Sequence, residues 1–429
     1  MVERRTENPY VVGSIPTCGT RRLLKYSEVF FFVLECSILY SMKLNENVIA
    51  FTGGGTAGHI YPGLAVADEL KALADKDNKK ITINWIGCSK GMDSQIVKKA
   101  VGMDGKPAAD EFFGIPSGKL RRYLSWQNFT DLFRIAGGYF AARRILKKLK
   151  PAFLFSKGGF VSVPPCLAAK HLGIPVFTHE CDFTLGLANR LNFKSAKTMF
   201  VSYEETKNRL PAADQARVTV TGNPVRPVIY KADASKGKAF LGITSTEKPV
   251  LLVLGGSSGA KQINQLVYEN LDFLCSHFTV IHQTGLLNAD NNIEEELKNK
   301  YQGSYKPYQF IYEQMPDVLA AADIFLSRAG ANSIWEAAVL SKSMVLIPLC
   351  GSGTRGDQVD NAKFFQERNA AEVLLGDQAT GPNLCAALEK MLEEKNRNEY
   401  ALNVQKLAGS QKPAEKIAQI LYNQIRGEN

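Results

Sequence analysis

The sequence predicts an α/β protein of two doubly wound, Rossmann-like parallel-sheet domains facing a cleft, and three observations carry that expectation. Short apolar runs alternate with helical periodicity from residue 48 onward, as parallel strands covered on both faces require. A strand, Gly-rich turn and helix occur in succession twice, at Asn47 to Gly63 and again from Pro249 to Ala260. Between the two series, Thr221-Gly-Asn-Pro-Val-Arg-Pro227 has two prolines and little helical or strand preference, so it reads as a rigid interdomain linker.

The elements follow in order. Residues 1–41 are expected to be an extension outside the fold, disordered or upstream of the true start, because Met42-Lys43 stands directly before the first strand. Their apolar run, Val29 to Tyr40, is interrupted by Glu35 and is shorter than the ~20 residues that span a bilayer. Val48–Phe51 reads as a buried strand, and Leu64, Ala65, Ala67, Leu70 and Leu73 mark a helix over Gly63–Leu73. Then come strand Ile81–Ile86, helix Asp93–Ala100 and strands Ala152–Ser156, Pro175–His179 and Thr198–Val201. The second series has strands Val250–Leu254, Thr279–Gln283, Gln309–Tyr312, Asp323–Ser327, Met344–Pro348 and Ala371–Leu375. The expected division is 42–225 and 226–405, with 406–429 a helix returning to the first domain.

A length of 429 residues is long for one core, and 45% hydrophobic content excludes disorder as the theme. The net charge of +10 favours an anionic partner. Residues 119–150 hold nine Lys and Arg against the single acid Asp131, interleaved with Leu120, Tyr123, Leu124, Trp126, Phe129, Leu132 and Phe133. Such a stretch suits the surface of an anionic membrane, and also an ordinary amphipathic helix with its apolar side in the core. Nucleic acid is not expected, because no recognised binding module accompanies the charge. The eight cysteines are scattered with no C-x-x-C pair, which fits a reducing cytosol and no structural zinc.

Glycines 53–55 allow close backbone approach, and the N-terminus of the following helix suits a phosphate, so a diphosphate is the default guest. The pattern Gly53-x-Gly55-x-x-Gly58 fits the dinucleotide fingerprint, but the next strand runs into Gly87-Cys88-Ser89-Lys90 with no carboxylate for a ribose. Asp75 and Asp77 lie in a helix-to-strand loop, where solvated charge is the simpler reading. His59 can be a general base at the mouth of the turn, or a capping and packing residue; position alone leaves both open. In the second half, Ser327 to Glu336 and Asp357 to Ala362 each open a helix. With Gly255–Gly259 they offer donors outside the strand carboxyl ends. Glu336 is placed for a ribose diol or simply for the helix dipole, and Asp357 for the dipole.

Gly54-Gly-Thr-Ala-Gly-His59 with Pro62, Lys157-Gly-Gly-Phe-Val-Ser162, His179-Glu180, Gly222-Asn-Pro-Val-Arg226, Gly255-Gly-Ser257, Arg328-Ala-Gly-Ala331 with Glu336, and Gln358 with Asn361-Ala362 resemble the peptidoglycan N-acetylglucosaminyltransferases of the MurG family, in order from Met42 to the C-terminus. The resemblance implies a GT-B fold at the cytoplasmic face of the bacterial inner membrane, peripherally attached. It implies transfer of N-acetylglucosamine from UDP-N-acetylglucosamine to the muramyl 4-hydroxyl of lipid I, giving lipid II. It further implies that Thr56, Ala57 and Gly58 approach the donor diphosphate, Arg226 and Ser257 bind phosphate, and Ile311 lines the uracil pocket. Glu336 would hold the ribose, Ala331, Asn332 and Ser333 would offer backbone donors, and Gln358 would read the sugar hydroxyls. His59 would be the base, with His179, Glu180 and Asn361 on the acceptor side. The chain departs from the family at Ala57, usually Gly, at Ser258, usually Gln, and at Asp182, usually Asn, where a donor contact is implied. Helix N-termini and an arginine can stabilise a leaving diphosphate, so neither metal nor cofactor is expected, and the reaction should invert the anomeric carbon. The D-x-D at Asp75-Lys76-Asp77 falls at the wrong end of a helix to bind a nucleotide. Alternatives are a GT-B enzyme with another lipid acceptor, or a noncatalytic UDP-sugar-binding partner.

Overall fold

The computed structural model describes residues 43–118, 126–245, 247–256, 259–289, 291–351, 354 and 356–428. The extension expected at 1–41 and the basic loop 119–125 lie outside them, as do Ser257 and Ser258.

Two wholly parallel sheets form. The first contains β1 (Val48–Thr52), β2 (Thr82–Cys88), β3 (Glu111–Ile115), β4 (Leu154–Ser156), β5 (Val176–Glu180), β6 (Thr198–Val201) and β7 (Val218–Val220), in the order 3-2-1-4-5-6-7. The second contains β8 (Val250–Leu254), β9 (Thr279–Gln283), β10 (Tyr305–Tyr308), β11 (Ile324–Ser327), β12 (Ser343–Leu346) and β13 (Glu372–Val373), in the order 10-9-8-11-12-13. Strand order reverses between β1 and β4, paired Ala50 to Leu154, and between β8 and β11, paired Leu251 to Ile324. A crevice opens at the carboxyl ends at such a switch point, and the two Gly-rich turns of the sequence begin there, after β1 and β8.

The helices that carry or support the site are α1 (Tyr61–Lys76), α2 (Asp93–Lys99), α4 (Ala331–Val339) and α5 (Asp357–Gln366), while α3 (Trp126–Leu149) and α6 (Pro413–Arg426) pack on the first sheet. Helix α1 buries Leu64, Ala67, Leu70 and Ala74, and Pro62 suits its first turn, where a missing N–H costs nothing. Helix α6 buries Ala414, Ile417, Ala418, Leu421, Tyr422 and Ile425 in the same core as α1 and the first sheet. Asp77 accepts from the Tyr422 hydroxyl at 2.9 Å, which gives that loop carboxylate a structural role.

Three strands differ from expectation. β3 and β7 are edge strands that do not stand out, because Glu111 and Gly114 interrupt Glu-Phe-Phe-Gly-Ile and Val-Thr-Val is only three residues long. β10 lies four residues earlier than Gln309–Tyr312, because Pro307 hides it; as an edge strand β10 tolerates a residue that cannot donate to the ladder. Residues 221–226 carry neither helix nor strand, as the linker reading requires.

Candidate active site

On the first sheet the chain leaves β1 through Gly53–Gly55 and closes a short 3-10 turn, Ala57–His59, before α1. Tertiary contacts hold this loop. The Trp85 indole donates to the Gly53 carbonyl at 3.0 Å, and buried Asp93 at the start of α2 accepts from Gly55 N–H (2.9 Å) and Cys88 N–H (2.8 Å). Gly55 has φ +81°, and a Cβ there would fall 2.3 Å from the Phe160 ring, so glycine is required twice over. His59 is half-buried, its Nδ1 2.8 Å from the Thr56 hydroxyl and its N–H donated to the Thr56 carbonyl at 3.1 Å. Gly159, with φ +80°, closes over the imidazole from the end of β4; a Cβ there would lie 3.1 Å from His59 Cγ.

Asp93 changes the character of the turn. Gly55 N–H is committed to a carboxylate and is not offered to a phosphate, and among the described residues no cation contributes to offset that carboxylate's charge. Burial raises its pKa above 3.8 despite the N–H bonds that lower it. The folded protein therefore holds the proton more tightly than the unfolded chain does, and the stability this contributes is complete below about pH 3.8 and lost as pH rises through the raised value. Asp93→Asn should remove that downward drift from the melting temperature followed upward from about pH 3.8. An unchanged slope would mean that other groups set it.

Across the cleft, β11 runs through Ser327–Gly330 into α4, whose first intrahelical bond is Ile334 N–H to the Gly330 carbonyl. The N–H groups of Ala331, Asn332 and Ser333 precede it, at the positive end of the helix. Glu336 lies one turn on and is gripped by Arg226 from the linker, through Nε to Oε1 at 2.6 Å and Nη2 to Oε2 at 3.0 Å. The guanidinium also lies 5.2 Å from the centroid of the Tyr61 ring.

Residues 49–201 match the glycosyltransferase family 28 N-terminal domain, and 250–420 its C-terminal domain. The chain is 47% identical over 392 residues to a UDP-N-acetylglucosamine--N-acetylmuramyl-(pentapeptide) pyrophosphoryl-undecaprenol N-acetylglucosamine transferase of Treponema denticola, covering 89% of this chain and 98% of the relative. It is 39% identical over 351 residues to the transferase of that name from Staphylococcus carnosus, covering 82% and 90%. Among solved structures, MurG of Acinetobacter baumannii superposes with a TM-score of 0.64 at 23% identity, over 89% of this chain and 99% of that one. The chain belongs to the MurG family. Its two-sheet architecture is the GT-B fold of those transferases.

The residues that the MurG resemblance singles out fall into two groups. Thr56, Ala57, Gly58 and His59 on one side, and Arg226, Ala331, Asn332, Ser333 and Glu336 on the other, converge: Asn332 Nδ2 donates to the Gly58 carbonyl at 3.0 Å. Gln358 opens α5 and accepts from Leu349 N–H at 2.9 Å, while the Ile311 N–H is held by the Gln283 amide at 2.9 Å.

The others are interior. His179 is fully buried, its Nε2 2.9 Å from the Gly222 carbonyl, and burial, followed by the nearby Lys157 cation, lowers its pKa well below 6.5. Glu180, also buried, accepts from Asp182 N–H, Gly186 N–H and Asn189 Nδ2. Both are expected on the acceptor side, and their bonds shape the chain around residues 180–189 and the linker. Asn361 is buried between the halves, accepting from Phe183 N–H at 2.9 Å and donating to Asp182 Oδ1 and the Ala329 carbonyl, both at 3.2 Å. Beside it Phe183, Tyr203, Trp335 and Phe364 form a cross-domain aromatic core, with the Trp335 indole donating to the Tyr203 hydroxyl at 3.0 Å. Asp182 therefore faces an interdomain partner. Glu180, Cys181 and Asp182 lie close enough to share an ion, yet the Glu180 oxygens are committed to N–H donors. Asp93 and Trp85 carried no motif that would have nominated them, and Asn223 stood in the Gly222–Arg226 string with no role of its own.

Proposed function

We propose that the protein transfers N-acetylglucosamine from UDP-N-acetylglucosamine to the 4-hydroxyl of the muramyl sugar of lipid I, forming lipid II, with inversion and without a metal. The observation that carries this reading is the approach of the His59 turn to the donor helix α4 across the cleft, supported by relatives named for this activity. With Nδ1–H donated to the Thr56 hydroxyl, His59 Nε2 takes the acceptor proton as the oxygen attacks the anomeric carbon. The bond from that carbon to the diphosphate oxygen breaks, and UDP leaves with the electron pair. Arg226 and the α4 N-terminus stabilise the leaving charge, Glu336 and Ile311 hold ribose and uracil, and Gln358 reads the sugar. Ser257 and Asp182 complete the donor side. Residues 42–225 bind acceptor and membrane, and 226–405 the donor. Incubation with labelled UDP-N-acetylglucosamine and separate lipid acceptors tests this: label should appear on lipid I alone, and transfer to a diacylglycerol would redirect the assignment.

The site of action is the cytoplasmic face of the inner membrane, met through residues 119–150, and nucleic acid is not a partner. No helix of the described residues is long and apolar enough to cross a membrane. Helix α3 buries Ile135, Tyr139, Ala142 and Leu146 in the first domain, as the amphipathic reading expects. Phe133 and Phe140 are 65% and 64% exposed, and at helical spacing they continue into Arg144 and Lys147. That stripe puts aromatic rings and cations on one outward face. Replacing Phe133 and Phe140 with Ser, and Arg144 and Lys147 with Gln, should cut binding to anionic vesicles, each lost cation being worth ~1 kcal/mol, with UDP affinity unchanged. Undiminished vesicle binding would remove α3 from the membrane contact.

A further inference from the structure

Three segments meet twice across the cleft. In one meeting, Asn332 Nδ2 donates to the Gly58 carbonyl at 3.0 Å while Asn332 Oδ1 accepts from Asn223 Nδ2 at 3.1 Å. In the other, Arg226 pairs with Glu336 and lies against the Tyr61 ring. Asn223 and Arg226 belong to the linker, Asn332 and Glu336 to one face of α4, and Gly58 and Tyr61 to the passage from the turn into α1. Both ends of the Asn332 carboxamide are engaged, and the approach is tight: a Cβ on Gly58 would lie 2.9 Å from Asn332 Nδ2.

We propose that Asn332 is a positioning residue that acts on His59 through the Gly58 carbonyl. That carbonyl belongs to the peptide group whose nitrogen is His59's, and the group is planar and stiff. Its N–H is fixed by the Thr56 carbonyl, and the imidazole by the Thr56 hydroxyl. Asn332 adds the only tie among these that comes from the donor half, so the helix that presents Glu336 also sets where His59 stands. Loss of such a tie costs rate through geometry, with misplacements near 1 Å worth about 10²-fold.

This inference rests on His59 being the base, and the experiment separates the two. Asn332→Leu, close in size but without the amide, is assayed alone and in a His59→Ala background. Alone it should lower kcat about tenfold to a hundredfold with donor KM within about twofold, the split expected of lost alignment. In the His59→Ala background it should lower kcat no further, because its effect passes through the missing imidazole. An equal loss in both backgrounds, or a raised donor KM with kcat kept, overturns the positioning role. Near-normal kcat in His59→Ala alone overturns the base assignment instead. Gly58→Ala, whose Cβ displaces the Asn332 amide, gives the same cycle with the same two outcomes should Asn332→Leu fail to fold.

Discussion

His59→Ala is expected to lose about 10²–10⁴ in kcat, the usual worth of general-base catalysis, while UDP still binds. His59 is fixed on three sides, its imidazole by the Thr56 hydroxyl on Nδ1 and by the close backbone of Gly159, and its backbone N–H by the Thr56 carbonyl. Such restraint suits a group that must meet one hydroxyl in one orientation. The acidic limb of the kcat profile should vanish in the variant. A variant that keeps its kcat, or that loses activity only through donor affinity, would make His59 a wall of the turn. His179 and Glu180 are poor replacements, since one is buried against the Gly222 carbonyl and the other is occupied by N–H donors.

Arg226→Ala should raise donor KM about a hundredfold, more than Glu336→Ala does. A hydrogen bond to a charged group is worth ~1.5–3 kcal/mol, one to two decades in affinity. Removing Arg226 takes away a cation from the diphosphate and also leaves the Glu336 carboxylate unpaired beside an anionic ligand, and both terms oppose binding. Removing Glu336 loses the ribose contact but frees Arg226 from its partner, and these terms oppose each other. The donor KM of Glu336→Ala should therefore rise only about tenfold, within the range of a single charged hydrogen bond. The double variant should bind UDP better than Arg226→Ala. Should it bind worse, or should the two single changes cost equally, the pair does not govern donor affinity.

What the sequence made legible is local. The turn at Gly53–Gly55, His59 and the opening of α4 are contiguous strings whose chemistry is visible without the fold, and the repeated strand, turn and helix predicts both sheets. The contacts that set the site's geometry link residues far apart: Asp93 lies 38 positions from Gly55, and Asn332 lies 274 from Gly58. Each is an ordinary polar residue until the sheets bring it to its partner. Burial is equally invisible in the string: His179 and Glu180 are expected on the acceptor side, and nothing local shows that β5 is a central strand whose residues are all buried. Arg226 and Glu336 were read as separate ligand contacts because nothing in the string shows that they neutralise each other.

The return of α6 makes the second unit, topologically, an insertion into the first. The chain leaves the first sheet after β7 and comes back at Pro413, and these two places touch: a Cβ on Gly222 would lie 2.9 Å from Pro413 Cγ, and Lys416 Nζ donates to the Val220 carbonyl at 3.0 Å. The ends of the inserted unit are thus pinned side by side, so joining residue 221 to residue 413 would close the first unit with almost no loop to order. The same geometry prevents a truncation at residue 225 from yielding that unit intact, because α6 covers the apolar face of α1. An autonomous first unit would need residues 43–221 spliced to 413–428, and the excised piece could be exchanged as a cassette.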